Sequence, residues 1–203
     1  FEGADRQRNA RGVMSMIEDS ASTTFFVPLD KLVGPVDNMD AALRLAQDTL
    51  ADGMTLFWRL VENPGYIRLD VERLRHILSA RFAAVTLQGP NRAAGALDAL
   101  IRSELLATSS GPVKSALCGI LAGDDLLLSE VGRIADGVRD SFGGLTFDLA
   151  TVNDAATFQN RLSVVIMLFE SNGKIDEPAK PGSVMSGRRK RTRSVLGQGP
   201  GGR

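Results

Sequence analysis

The chain has 203 residues, of which 43% are hydrophobic and 24% charged, and its 24 Lys and Arg residues balance its 24 Asp and Glu residues. This composition is typical of a globular protein with one large or two small domains. No apolar run approaches the ~18 residues that a membrane span needs, and the single cysteine, Cys118, excludes an internal disulfide. We therefore expect a protein of a reducing, cytoplasmic setting.

Two elements are expected before the longest helix. Residues 1–19 form a polar helical pattern with Val13, Met14 and Ile17 on its covered side. Residues 23–27 have the composition of a short strand, which ends at Pro28.

The longest predicted element is a helix over residues 36–62. Asp37 and Asn38 are suited to cap its start, and the sequence Asn63-Pro64-Gly65 ends it. Its apolar residues at three- and four-residue steps predict one buried face: Met39, Leu43, Ala46, Leu50, Met54, Phe57 and Val61. Leu45, Leu56 and Leu60 lie off that face, so we expect other structure to cover much of the helix. At 1.5 Å per residue, a helix of roughly 40 Å can span a domain boundary.

The second half predicts alternating helices and strands. Helices are expected over 70–80, 91–106 and 128–142, and strands over 82–87, 115–121, 145–151 and 161–170. This order predicts a mixed α/β fold whose last two strands form a hairpin. Residues 172–203 are rich in Gly, Pro and Arg and too poor in apolar residues to form a core, so we expect disorder there.

Several stretches resemble, in this order, FtsZ, the bacterial tubulin-like cell division GTPase. The opening FEG with Arg6 resembles a nucleotide-side segment of that family, and VPLDKL resembles its IPNDKL. NPGYIRLDVERL resembles the family's synergy loop, usually PGLINVDFADV. LAGDDLLLSE is similar to TGGxDLxLxE, and RLSVVIMLFE to the last strand of the family's C-terminal domain. The resemblance covers residues 1–171, but no glycine-rich GGGTGTG phosphate loop is present.

The resemblance implies a tubulin/FtsZ-like α/β fold with a long central helix followed by a mixed four-stranded sheet with helices. It implies four regions: a remnant of the GTP-binding domain (1–35), the central helix (36–62), the C-terminal α/β domain (63–171) and a disordered basic tail (172–203). The implied role is GTP-dependent head-to-tail assembly with FtsZ-like subunits at the division site. The alternative is a non-catalytic paralogue that caps or co-assembles with a full-length partner.

Three residues are candidates for nucleotide binding. Glu2 and Arg6 are four residues apart and can share one helix face, where a carboxylate suits ribose hydroxyls and a guanidinium suits phosphate. Asp48 occupies the position of the family's guanine-reading Asp, and a carboxylate matches the adjacent N–H donors of guanine. Leu43 replaces an aromatic residue that stacks on the base. The alternatives are a solvated Glu2–Arg6 ion pair and an exposed Asp48 paired with Arg44.

The loop over 65–73 carries the implied catalytic residues. In the family it reaches the nucleotide of the next subunit, where its acids position the attacking water. Gly65 and Asp70 match the family, whereas Arg68 replaces the usual Asn and Arg73 the second acid. Because a guanidinium cannot take a proton at neutral pH, we expect weak or absent GTP hydrolysis even with a complete pocket.

Other features indicate little chemistry. His76 lacks neighbouring ligands and is expected to be structural, and no metal site is predicted. GTP or GDP, with Mg²⁺ as a further candidate, is expected only together with the missing half of the nucleotide domain or a partner. From Asn172 onward the chain has eight basic and two acidic residues, including the run RRKRTR. This tail could contact anionic lipid or nucleic acid, or act only as a solvated spacer between polymers.

Overall fold

The computed structural model describes residues 3–21, 24–25, 27, 29–32, 38–63, 65–74, 79–107 and 113–170. Its helices are α1 (Gly3–Ser20), α2 (Leu29–Leu32), α3 (Met39–Glu62), α4 (Val71–Leu74), α5 (Arg92–Ile101), α6 (Glu104–Ala107), α7 (Leu128–Ser141) and α8 (Ala155–Phe158). Its strands are β1 (Thr24–Phe25), β2 (Ser79–Gln88), β3 (Val113–Ala122), β4 (Thr146–Asn153) and β5 (Arg161–Glu170).

The strands form one mixed sheet in the order β1-β2-β5-β3-β4. β5 pairs antiparallel with β2 and with β3, whereas β3 pairs parallel with β4. The α/β class and the mixed four-stranded sheet are therefore confirmed, as β2, β5, β3 and β4. The two-residue β1 extends this sheet by pairing parallel with β2.

The expected hairpin between the last two strands is wrong. β4 pairs with β3 at the sheet edge, and β5 crosses to the centre after the short helix α8. The nine residues that follow Arg161 in β5 are all buried. An apolar run of this kind is typical of a strand covered on both faces, which explains its central place.

Two expected helices end earlier than predicted. The helix over 70–80 is described only as α4, and Ser79 and Ala80 already belong to β2. The helix over 91–106 breaks after Ile101. In a continuous helix Leu105 would lie roughly 140° around the axis from Leu100, and the break allows both to be buried.

Helices cover both faces of the sheet. One core layer lies under α5, α6 and α7 and includes Leu100, Ile134 and Ile166. The other lies under α3 and α8 and includes Leu60 and Phe158. The sheet is thus the middle layer of three.

The predicted buried face of α3 is wrong by about one residue. Asn38 caps the helix as expected, since its Oδ1 accepts a hydrogen bond from Asp40 N at 2.9 Å. The buried residues of α3 are Ala42, Gly53, Leu56 and Leu60, whereas Met39, Leu43 and Leu50 of the predicted face are exposed. Gly53 explains the shift, because a Cβ there would overlap the ring of Phe82. The side of α3 that packs on the sheet is the one where Gly53 lets the helix approach Phe82 closely. It is not the side with the most large apolar residues. Among the described residues, the helix is well covered only in its second half.

No helix in the described ranges combines the length and the apolar character needed to cross a membrane.

Candidate functional site

The loop after α3 is bonded to the edge strand β4. Gly65 N donates to Thr151 O at 2.7 Å, and Thr151 N donates to Ile67 O at 2.9 Å. Ile67 N also donates to the hydroxyl of Thr151 at 3.0 Å. Three hydrogen bonds around one residue of β4 therefore fix the backbone of this segment, residues 65–73, which we call the contact loop.

Gly65 is required where the contact loop meets β4. A Cβ at this position would lie 2.5 Å from Thr151 O and 2.9 Å from the side-chain oxygen of Asn153. Because the nearest of these atoms belongs to backbone inside a sheet, a larger residue would displace the loop.

The contact loop presents both of its described candidate polar residues to solvent. Arg68 and Asp70 are exposed, and Asp70 Oδ1 accepts a hydrogen bond from Glu72 N at 3.2 Å, at the start of α4. Arg73 lies in α4, and its side chain is outside the described residues. The structure thus brings Gly65, Arg68 and Asp70 into one exposed loop, while their catalytic roles stay predictions.

Exposed apolar residues accompany these polar groups. Tyr66 is 86% exposed, and Ile67 and Val71 are also exposed. A ring that protrudes from a backbone fixed by hydrogen bonds is a feature of contact surfaces.

A second exposed apolar group lies at the same end of the sheet. β3 ends at Ala122, which pairs with Asn153 at the end of β4, and Asp154 N donates to Ala122 O at 2.9 Å. Residues 123–128 follow β3, and we call them the leucine loop. In it Leu127 is 59% and Leu128 86% exposed. Sequence reasoning missed these two residues, although three consecutive leucines after a Gly-Asp-Asp turn are more than a loop of this length can bury.

The candidate nucleotide residues within the described part of the chain lie on two different helices. Glu2 lies outside the described residues, while Arg6 on α1 and Asp48 on α3 are both exposed. Their chemistry suits phosphate and guanine respectively. Neither of them lines the cleft between α3 and the sheet that is described below. Their assignment to a nucleotide therefore stays a prediction, and so does that of Glu2.

A cleft of about 340 Å³ lies between the second half of α3, one part of the sheet and α8. Arg59 on its wall bonds through Nη1 to Asp154 Oδ2 at 3.0 Å and lies 5.6 Å from the ring centroid of Phe158. Asp154 also accepts from the backbone N–H groups of Ala156 and Thr157. Hydrogen bonds from Thr157, with those from Ala156 and the charge of Arg59, lower the pKa of Asp154. These contacts connect the end of α3 to the segment that follows β4, beside the contact loop.

The part of the chain that the structure describes holds no group of three or more His, Cys, Asp or Glu residues suited to a metal ion.

Comparison with known proteins gives FtsZ cell division proteins among the relatives. No family model matches the chain. The cell division protein FtsZ of Magnetospirillum gryphiswaldense is 31% identical over 163 residues, which are 73% of this chain and 29% of that protein. FtsZ of Pseudomonas aeruginosa is 28% identical over 191 residues, which are 89% of this chain and 48% of that protein.

Solved structures give the same result for the fold. The W319Y mutant of M. jannaschii FtsZ matches with a TM-score of 0.70 at 20% identity, over 83% of this chain and 52% of that one. CetZ2 from Haloferax volcanii, solved as a GTPγS-bound protofilament, matches with a TM-score of 0.63 at 17% identity, again over 83% and 52%. The chain thus spans about half the length of these proteins, or less. It is a divergent relative of the FtsZ cell division proteins and carries about half of the tubulin/FtsZ fold.

Proposed function

We propose that the chain is an FtsZ-like subunit that takes part in GTP-dependent head-to-tail filament assembly at the division site, in the cytoplasm. Its relatives are named as cell division proteins, one of the matching structures is an FtsZ dimer, and another is a protofilament. The partner in this proposal is a second FtsZ-like subunit. The division into a nucleotide-domain remnant (1–35), central helix (36–62), α/β domain (63–171) and tail (172–203) is part of the same proposal.

The observation that carries the proposal is the pair of exposed apolar loops at one end of the sheet. Tyr66 and Ile67 in the contact loop and Leu127 and Leu128 in the leucine loop are exposed, although hydrogen bonds hold the backbone of each loop. Exposed apolar groups on a fixed backbone lose little conformational entropy on binding, so they suit a protein contact.

The chemistry of the contact loop follows from its side chains. Bound GTP supplies a γ-phosphate that water can attack, and the loop of this subunit would face that phosphate in the neighbouring subunit. Asp70 would accept a proton of the water, while Arg68 and Arg73 would attract phosphate oxygens but accept no proton. Glu2, Arg6 and Asp48 would hold ribose, phosphate and guanine on this subunit's own side, with Mg²⁺ as the counter-ion and the rest of the pocket from the missing half or a partner.

The two arginines also favour a second function. A subunit whose contact loop binds the next nucleotide without promoting hydrolysis would cap or stabilise a filament of full-length FtsZ. In this alternative the chain is a non-catalytic paralogue that co-assembles through the same surface.

Sedimentation with and without GTP tests the proposal. We expect the chain to pellet, alone or with Pseudomonas aeruginosa FtsZ, when GTP is present and to stay in solution when it is absent. The double variant Tyr66→Ser, Leu128→Ser should lose this response. Ile101→Ser, which changes an exposed apolar residue at the end of α5, is the matched control and should keep it.

Two results would contradict the proposal. One is a chain that never pellets with nucleotide, alone or with FtsZ. The other is a double variant that pellets like the wild-type chain, because the two loops would then not form the contact.

A further inference from the structure

A buried arginine lies directly beneath the leucine loop. Arg92 is the first residue of α5 and is only 6% exposed. Its guanidinium forms a two-point ion pair with Glu130 of α7, with Nε–Oε1 at 2.8 Å and Nη2–Oε2 at 2.9 Å. It also donates to Asp125, from Nη1 to Oδ2 at 2.6 Å and from Nη2 to the backbone O at 3.1 Å. We call Arg92, Asp125 and Glu130 the Arg92 cluster.

The cluster holds the leucine loop at three points. Two are the side chain and the carbonyl of Asp125, which Arg92 binds directly. The third is Leu127 N, which donates to Glu130 Oε2 at 3.0 Å. The same carboxylate oxygen thus accepts from Arg92 and from the loop, so the position of Leu127 depends on Arg92 through Glu130.

Stability alone does not explain this arrangement. Two buried opposite charges gain little net free energy over apolar residues of similar volume, because both lose their hydration. The measurable effect of the cluster is geometric, since a bidentate guanidinium fixes both orientation and distance. The carboxylate and guanidinium also stabilise each other's charge: the pKa of Glu130 is lowered, chiefly by its hydrogen bonds from Arg92.

The outer side of the loop is apolar. Leu127 and Leu128 lie in solvent immediately beside the backbone groups that the cluster fixes. The three hydrogen bonds from the cluster oppose a turn of these side chains toward the core.

We propose that Arg92 is a positioning residue for subunit contact, which fixes the leucine loop so that Leu127 and Leu128 meet the next FtsZ-like subunit as a preformed surface. This rests on the proposed function, because it takes the partner from there. Because Arg92 is buried, it would act through the loop and not by direct contact with the partner.

The conservative variant Arg92→Lys tests the role. Lysine keeps the charge but cannot bind Glu130 at two points and Asp125 at the same time. We expect the affinity for Pseudomonas aeruginosa FtsZ filaments, formed with a slowly hydrolysed GTP analogue and measured by co-sedimentation, to fall about tenfold, since the freed loop must be ordered on binding. Hydrogen exchange at the amide of Leu127 should become faster, while exchange in β3 and β5 stays unchanged. Glu130→Gln, which keeps the size of the side chain but loses its charge, should act in the same direction.

Two control variants distinguish an effect of Arg92 on the position of the loop from a general effect on protein stability. Arg102, at the C-terminal cap of the same helix, forms an exposed pair with Asp98, and Arg102→Lys should leave affinity unchanged. Ile134→Val trims the buried face of α7 without touching the loop, so it reports how far a general loss of stability lowers affinity. The proposal expects Arg92→Lys to weaken binding more than Ile134→Val at an equal shift of the melting temperature.

The outcomes distinguish this inference from the proposed function. If Leu128→Ser weakens binding and Arg92→Lys does not, the surface is right and the positioning role is wrong. If Arg92→Lys weakens binding only as much as Ile134→Val does, the role is structural and the inference also fails. If Leu128→Ser has no effect on binding, the leucine loop is not the contact, and both proposals lose their basis.

Discussion

Gly65 allows the contact loop to lie close against β4 because it has no side chain. We predict that Gly65→Ala displaces the loop from β4, because the new methyl group would lie 2.5 Å from Thr151 O. The three hydrogen bonds at Thr151 would be lost or lengthened, at about 0.5–1.5 kcal/mol each. The free energy of unfolding, from urea titration, should fall by this order, and GTP-dependent pelleting should fall with it.

Gly132 provides the control for that substitution. It lies inside α7, and a Cβ there would meet no atom within 4 Å. Gly132→Ala should therefore stabilise the protein by up to about 1 kcal/mol through helix propensity alone. Equal effects of the two substitutions would mean that the loop does not depend on close approach at Gly65.

Glu130 gives the stability a dependence on pH. Its pKa is lowered in the folded protein, so its contribution is fully present above the unfolded value of about 4.3 and is lost as the pH falls through the folded pKa. The pKa of Asp154 is lowered as well, and its contribution is lost in the same direction. We predict that Glu130→Gln costs about 1–3 kcal/mol at pH 7 and makes the acid side of the stability profile flatter. Thermal melts from pH 7 down to pH 3 measure this, and Glu62→Gln at an exposed site is the control for one lost carboxylate.

At the scale of elements, α3 shows which of its apolar residues belong to the core. Leu60 is fully buried against the sheet, whereas Leu43 of the face expected from periodicity is about half exposed. We predict that Leu60→Ala lowers the free energy of unfolding by about 2–5 kcal/mol, as for other buried leucines. Leu43→Ala should cost less than about 1 kcal/mol in this chain, because it leaves no cavity. Urea titration of both variants measures the difference. An equal loss in the free energy of unfolding would mean that the face predicted from the sequence is also buried.

Sequence patterns identified most elements but not their arrangement. The apolar runs that became β3 and β5 are local signals and could be found without a structure. The central position of β5 depends on pairing with two strands distant in the sequence, and local periodicity carries no information on that choice. The face of α3 was misjudged because periodicity counts large residues, while Gly53 sets the approach to the sheet.

The residues of the candidate site likewise fall into those that the sequence could reveal and those that it could not. Gly65 and Asp70 could be found because their spacing in the chain matches a known loop. The stretch of the leucine loop was found as well, as LAGDDLLLSE, but the Arg92 cluster could not be, since it depends on α5 and α7 lying side by side with Arg92 reaching across to Glu130. Contacts between residues 38 positions apart leave no periodic pattern in a single sequence.

At the scale of the whole molecule, the contact loop connects α3 and the edge strand β4 to the outer surface. It follows α3 directly, it bonds to β4, and Arg59 in the last turns of α3 binds Asp154 just after β4. A shift of α3 on the sheet would therefore move the loop and its neighbours together. The proposed contact surface thus depends on α3 and the sheet and not on the loop alone.

The last prediction concerns hydrolysis in mixed filaments. We expect addition of the chain to Pseudomonas aeruginosa FtsZ to lower GTP turnover per FtsZ subunit, because each contact loop with Arg68 and Arg73 in place of Asn and an acid positions water poorly. A positioned acidic group contributes about 10²–10⁴-fold to a rate, so interfaces that keep Asp70 but carry Arg73 in place of the second acid should turn over about 100-fold more slowly. Phosphate release at increasing ratios of chain to FtsZ, at constant FtsZ, measures the effect.

The double variant Arg68→Asn, Arg73→Asp distinguishes a defective loop from mere dilution of the filament. It restores the side chains that the family's loop carries, while Gly65 and the bonds to β4 are unchanged. If the arginines cause the slow turnover, this variant should co-sediment like the wild-type chain but return phosphate release toward that of FtsZ alone. Removing Asp70 as well, by Asp70→Asn, should abolish the recovery, since an acceptor must remain for the water's proton. A double variant that inhibits as strongly as the wild-type chain would place the defect elsewhere than in this loop.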